Sequence, residues 1–182
     1  MHPKDTHLPI EDPSFLRLLA IMIDTGLVGW KYYVPWADEF ILTHHETPGW
    51  ILELATTKYK PNAVKVIHNF LARNSSIIGS PSAITRSDDI RIACFLLRYR
   101  RGEISWATFL QQAGSASDGG DSSFDCEFFY EMLNRFEDSE FDANLIREQE
   151  RAIERALSTA TGIVESVYLL FLEYFRHGCM KT

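Results

Sequence analysis

The sequence predicts an all-α protein: a single-domain helical bundle of about seven or eight helices with a long C-terminal helix. Strand signals are nearly absent, because no stretch alternates apolar and polar residues between tight hairpin turns. Helix signals recur along the 182 residues, as helically spaced apolar residues bounded by proline, glycine and capping residues. The longest such pattern lies near the C-terminus, where apolar residues repeat every three or four positions.

The N-terminal part predicts one buried helix after a flexible tail of about residues 1–12. Pro13 suits the first turn of this helix, and Gly26 marks its end. Eight of the nine residues in 15–23 are apolar. Because a helix that is apolar on nearly all sides belongs inside a bundle, we expect this one in the core.

Three short helices are predicted next, each opened by a proline. Pro35, Pro48 and Pro61 are spaced 13 residues apart, and proline is favoured in a first helical turn. The spacing allows two to three turns for each helix. A polar loop over residues 74–87 then interrupts the helical pattern.

Two further helices are predicted in the middle of the chain. Ser87 is expected to cap the first, which has acidic residues at its start and an arginine-rich last turn at residues 98–101. Ser105 is expected to cap the second, which ends at about Gly114. A polar connector of about residues 114–123, rich in glycine and serine, follows.

The last two helices are amphipathic. The first has one apolar face, formed by Phe124, Phe128, Met132, Leu133 and Phe136. The second is predicted over about residues 143–176, with eight apolar residues at nine seam positions: 146, 150, 153, 157, 160, 164, 167, 171 and 174. Such a seam is typical of a helix that packs along another. Gly162, in mid-helix, is expected to mark a kink or a close crossing.

Composition places the chain among globular proteins of the reducing cytoplasm. An apolar fraction of 46% in 182 residues is enough for one sizeable core. The three cysteines, Cys94, Cys126 and Cys179, form no CxxC pair, so neither a disulfide framework nor a thiolate zinc site is indicated. We expect no signal peptide, because acidic residues precede the first apolar run, and no membrane-spanning segment.

No motif in the sequence indicates catalysis or a cofactor. A GxSxG elbow, a Walker loop and a GxGxxG turn are all missing. His44 and His45 are adjacent on a predicted helix, where side chains point about 100° apart, so they do not form the zincin pair, which needs a spacing of four. The connector from Asp118 lacks the EF-hand spacing of oxygen ligands. We therefore predict no catalytic residues, no metal and no cofactor.

The most unusual feature of the chain is an acidic run. Between Asp118 and Asp142 it has nine acidic residues and one basic residue, a net charge of −8 against −7 for the whole chain. Such a field repels nucleic acid and membrane phosphates and attracts a basic protein. A solubilising face is the more common role of such a run, and a docking surface for a cationic partner is the alternative. The candidate partner-binding residues in this run are Asp118, Asp121, Asp125, Glu127, Glu131, Glu137 and Asp138.

An aromatic segment around residues 29–36 (GWKYYVPW) is the second candidate for partner binding. Its anchors would be Trp30, Tyr32, Tyr33 and Trp36, since tryptophan and tyrosine are frequent interface residues. The sequence predicts a loop here, which favours exposure. Such residues serve more often as a lid over a helical core, and the predicted loop position keeps the interface role open.

These observations favour a non-enzymatic, acidic protein-binding module that masks a basic protein partner and binds neither nucleic acid nor membrane. Compact acidic chains without catalytic motifs are typical of bacterial immunity proteins, which neutralise basic toxins, and the likeness is one of class only. One alternative is an enzyme or metal-binding protein with a site around His44, His45, Glu46 and His68. Another is a structural or regulatory subunit that dimerises through the seam of the C-terminal helix. The sequence leaves the oligomeric state open.

Overall fold

The computed structural model describes residues 9–74, 86–140 and 142–179, and within these ranges it contains eight α-helices and no strand. The all-α prediction and the long C-terminal helix are confirmed. Most of the predicted tail and of the 74–87 loop lies outside the described residues. The helices are α1 (Pro13–Asp24), α2 (Trp30–Thr43), α3 (Gly49–Thr56), α4 (Lys60–Arg73), α5 (Ser87–Arg100), α6 (Trp106–Ser117), α7 (Cys126–Asp138) and α8 (Ala143–Cys179).

Helix α2 begins five residues before the predicted start at Pro35. Gly29 is the N-cap, with an extended backbone at φ −88° and ψ 175°, and Pro35 lies inside the helix. An internal proline removes one backbone hydrogen bond and crowds the preceding turn. The helix continues through it because Tyr33, Trp36 and Ala37 bury one face of α2, and that burial outweighs the lost bond.

Of the two predicted serine caps, one is confirmed. The Ser105 side chain accepts a hydrogen bond from the Thr108 amide, and Pro48 and Pro61 lie at the starts of α3 and α4. Ser87 does not cap α5, because it is already the first helical residue and Arg86 precedes it without a side-chain cap bond.

Gly114 does not end α6, which continues to Ser117, so the polar connector begins only at Asp118. A Cβ at Gly114 would lie 2.9 Å from Cζ of Tyr130 on α7. The glycine therefore serves the close approach of α6 and α7 and does not terminate the helix.

The chain divides into two compact units. The first comprises residues 1–82 and 166–182, and the second comprises residues 83–165. Helix α8 contributes its N-terminal part to the second unit and its C-terminal part to the first.

The first unit has an aromatic and aliphatic core. All eight apolar residues in 15–23 are buried or half-buried, as predicted for α1. Trp36 of α2 lies between Trp50 of α3 and Phe171 of α8, at ring-centroid distances of 6.0 and 5.5 Å. These contacts join α2, α3 and the end of α8 around one aromatic cluster.

The second unit joins α6, α7 and α8 through a buried glutamine. Gln149 of α8 is 2% exposed. Its Oε1 accepts from Nε1 of Trp106 at 2.8 Å, and its Nε2 donates to the carbonyl of Met132 at 2.8 Å. Both polar ends of the side chain are therefore satisfied inside the core, as burial requires.

The seam of α8 is covered within the chain. Five of its nine positions are buried (153, 157, 160, 164 and 171), and the other four are half-buried. Among the described residues of α8, no seam position is exposed. Gly162 is exposed with open space around its Cβ position, so it marks no close crossing.

Candidate functional site

The acidic residues predicted to bind a partner are all exposed. Asp118 ends α6, Asp121 lies in the connector, Asp125 precedes α7, and the remaining four lie on α7 itself. The acidic run is therefore a surface feature and is not folded inward around a cation site. Within that common exposure, the seven carboxylates have different roles.

Two of these carboxylates are engaged in local structure. The Asp125 side chain caps α7 by accepting from the Glu127 amide at 3.1 Å. Asp121 lies 3.6 Å from Nε of Arg86, so part of its charge is offset. Their removal would change the fold locally as well as the surface potential.

Four carboxylates lie on α7 itself: Glu127, Glu131, Glu137 and Asp138. We call these four residues the acidic surface. None of the four forms an ion pair with any residue that the structure describes. At about 100° per residue, Glu127, Glu131 and Asp138 lie within about 40° of one another around the helix, and Glu137 lies about 100° from the centre of these three. The opposite side of α7 packs Phe129, Met132 and Phe136 into the core. The carboxylates are thus held on a fixed helix, facing solvent.

Two carboxylates near the start of α7, outside the acidic surface, act on Cys126. Desolvation raises the pKa of its thiol, and the side chain of Asp125 and the charge of Asp118 raise this pKa further. These effects favour the thiol form of Cys126 over the thiolate.

The structure reveals an anchor of the connector that the sequence did not predict. The buried carboxylate of Asp89 accepts from the Ser123 amide at 2.8 Å and from the hydroxyls of Ser122 and Ser123. Asp88 accepts from the Asp121 amide at 2.7 Å. From the sequence, Asp88 and Asp89 indicate only a favourable interaction with the dipole of α5. The connector is therefore fixed to α5.

The aromatic segment is helical, and it separates into exposed and buried residues. Trp30 is 42% exposed and Tyr32 is half-buried, whereas Tyr33 is 1% and Trp36 is 2% exposed. Tyr33 donates to the carbonyl of Thr57 at 2.7 Å, and burial raises its pKa. The prediction of a loop was wrong, and Tyr33 and Trp36 are core residues with no surface to offer a partner.

The histidines do not form a metal site within the described residues, which contain no group of three or more possible His, Cys, Asp or Glu ligands. The ring of His44 stacks on Phe40 with a centroid distance of 3.8 Å, and its Nδ1 lies 3.1 Å from the Phe40 carbonyl. Both contacts are made within the last turn of α2, where His44 is the C-cap residue. His45 and His68 are exposed.

The arginine-rich turn at the end of α5 is neutralised by carboxylates. Arg98 and Arg101 both pair with Glu103, and Arg100 pairs with Glu150 and Glu154 of α8. These arginines act within the second unit and do not form a phosphate site.

Comparisons with known proteins give no match: no family model, no curated protein sequence and no solved structure is similar to this chain.

By length and composition, the part of α8 at Ala143–Arg176 could cross a membrane, with a mean hydropathy of 1.3 over its most apolar window. A core helix of a soluble protein meets the same criterion, and about a third of that window is buried in the chain.

Proposed function

We propose that this chain is a non-enzymatic protein-binding module whose acidic surface masks a basic partner. The observation that carries the proposal is the set of four exposed carboxylates on α7 that have no ion-pair partner among the described residues. They belong to a run with a net charge of −8 in 25 residues. A bacterial immunity protein or inhibitor bound to a basic toxin would use such a surface.

The physical mechanism is electrostatic complementarity on a preformed helix. Opposite charge raises the association rate with a basic surface and disfavours acidic competitors. Because α7 is already folded and packed, little backbone ordering is needed on binding. From Glu127 to Asp138 the carboxylates extend over about 16 Å, given a rise of about 1.5 Å per residue. That length fits a groove that otherwise holds a few nucleic-acid phosphates.

The test uses three reversals that leave the caps of α7 intact: Glu131→Lys, Glu137→Lys and Asp138→Lys in one variant. Two of these residues lie in the last turn, where a positive charge is favoured by the helix dipole, so the fold should be retained. The matched control reverses three exposed residues of α8: Glu148→Lys, Glu165→Lys and Glu173→Lys. Both variants change the net charge from −7 to −1.

The measurement is capture of partners from an extract of the source cell, followed by titration of the captured protein against each variant. We expect wild type and control to bind one basic protein, and the α7 variant to bind it at least tenfold more weakly. Equal affinity of the α7 variant and wild type, with an equal dependence on salt, would remove the proposal.

A further inference from the structure

The first unit has an exposed cluster of lysines around an exposed tryptophan. Trp30, the first residue of α2, is 42% exposed. The ammonium groups of Lys31 and Lys58 lie 6.0 and 5.0 Å from the centroid of its ring. Tyr59, next to Lys58, is 66% exposed. Lys65 is exposed further along α4. We call these five residues the lysine–tryptophan surface.

This surface is built by the fold. The hydroxyl of Tyr33 holds the carbonyl of Thr57 at 2.7 Å, which places Lys58 against the start of α2. A lysine over an indole ring gains a cation–π interaction, and here two lysines share one ring. Both ammonium groups are therefore held beside the same exposed ring.

The lysines differ from the arginines of the second unit in having no carboxylate partner. Lys31, Lys58 and Lys65 form no ion pair with any residue in the described ranges, whereas the arginines in the last turn of α5 are paired. The sequence explains the difference, since residues 54–73 contain four basic residues and no acidic one. Positive charge is thus exposed and uncompensated on this side of the first unit.

We propose that the lysine–tryptophan surface docks onto the acidic surface of a second copy of this chain, in a head-to-tail contact. The two surfaces have opposite charge, and each lacks an ion-pair partner among the described residues. Trp30 and Tyr59 supply the apolar anchors that charge alone does not give an interface.

A second copy is favoured over nucleic acid by two observations. The whole chain has a net charge of −7, which opposes approach to a polyanion. Two lysines already lie over the ring of Trp30, where a nucleic-acid base would have to stack. A carboxylate surface, in contrast, does not need access to the ring, because it would contact the ammonium groups themselves. Because a head-to-tail contact uses two different patches, it leaves one of each patch free at the ends of the assembly.

The inference rests on the proposed function, because it uses the same acidic surface. The basic group that this surface binds is here the lysine–tryptophan surface of a second copy. The basic-surface variant carries Lys31→Glu, Lys58→Glu and Lys65→Glu. Its matched control carries Arg147→Glu, Arg151→Glu and Arg155→Glu, three exposed residues of α8. Both change the net charge from −7 to −13. The acidic-surface variant is the α7 triple reversal described above.

The experiment is sedimentation equilibrium of the full chain at about 10 mM and about 1 M salt, where the Debye length falls from about 30 Å to about 3 Å. We expect wild type and the arginine control to exceed twice the monomer mass at low salt and to be monomeric at high salt. Each surface variant alone should be monomeric. A mixture of the two should associate again, because every contact between the two variants joins a lysine-bearing surface to a carboxylate-bearing surface.

Several results would overturn the inference. One is wild type that stays monomeric at low salt, and another is a basic-surface variant that still associates. A third is a monomeric wild type that binds a fluorescent single-stranded oligonucleotide through the lysines, which would assign the surface to nucleic acid. The two proposals can also be told apart. If wild type is monomeric at low salt but the α7 variant no longer binds the captured basic protein, this inference is overturned and the proposed function stands.

Discussion

Replacing Asp89 should loosen the connector that leads into the acidic run. The Asp89 carboxylate is 8% exposed and accepts three hydrogen bonds, from the Ser123 amide and from the hydroxyls of Ser122 and Ser123. A hydrogen bond to a charged group contributes about 1.5–3 kcal/mol. The full sum is not lost in Asp89→Ala, because Ser123 is exposed and Ser122 half-buried, so water can replace their bonds.

We therefore expect Asp89→Ala to lower the free energy of unfolding by about 2–3 kcal/mol, measured by urea denaturation. The control is Asp88→Ala, which removes one hydrogen bond, to the Asp121 amide, and should cost about 1 kcal/mol. Amide exchange should identify the site, because the protection of Ser123 is lost in the first variant and kept in the second. An Asp89→Ala variant as stable as the control would refute the anchoring argument.

Three other substitutions test the remaining structure by urea denaturation. Gln149→Leu leaves the buried Nε1 of Trp106 without a hydrogen bond and removes the bond to the Met132 carbonyl, so it should cost about 2–3 kcal/mol, and a cost below about 1 kcal/mol would contradict the buried bridge. Gly120→Ala brings a Cβ into overlap with Oδ2 of Asp88 and should lower the free energy of unfolding by about 1–2 kcal/mol, whereas Gly162→Ala, in open helical space, should raise it by about 1 kcal/mol. The opposite order would show that the connector is not packed against α5. Tyr33→Phe should cost about 1 kcal/mol and should weaken the loss of stability above pH 10, since a raised tyrosine pKa makes ionisation oppose folding there. An unchanged alkaline profile would contradict a buried Tyr33 hydroxyl.

Much of the helical architecture could be predicted because local rules decide it. The apolar run in α1 and the Ser105 cap depend on neighbours in sequence, and both are confirmed. The exposure of the α7 carboxylates follows from the amphipathic pattern of that helix. These features need no knowledge of distant residues.

The errors arise where contacts between distant elements override a local signal. Pro35 indicated a helix start, yet the packing of Trp36 against Trp50 and Phe171 extends α2 through it. Gly114 indicated a helix end, yet it provides room for the ring of Tyr130. A sequence does not show which side chains meet across helices, so these positions were misassigned.

The candidate site was predicted in part for the same reason. Charge density along the chain showed that residues 118–142 are acidic. It did not show that Asp121 and Asp125 are engaged in local structure, or that the four carboxylates on α7 have no ion-pair partner among the described residues. The lysine–tryptophan surface was missed because Trp30 and Lys58 are 28 positions apart and meet only in the fold.

The most direct test of the proposed function is the salt dependence of partner affinity for wild type and the two charge-matched variants. With the captured basic partner, the logarithm of the association constant should fall steeply with the logarithm of salt concentration for wild type and for the α8 control. It should fall much less steeply for the Glu131→Lys, Glu137→Lys, Asp138→Lys variant, because three of the interacting charges have been reversed. Identical slopes for all three proteins would show that the acidic surface of α7 does not bind the partner.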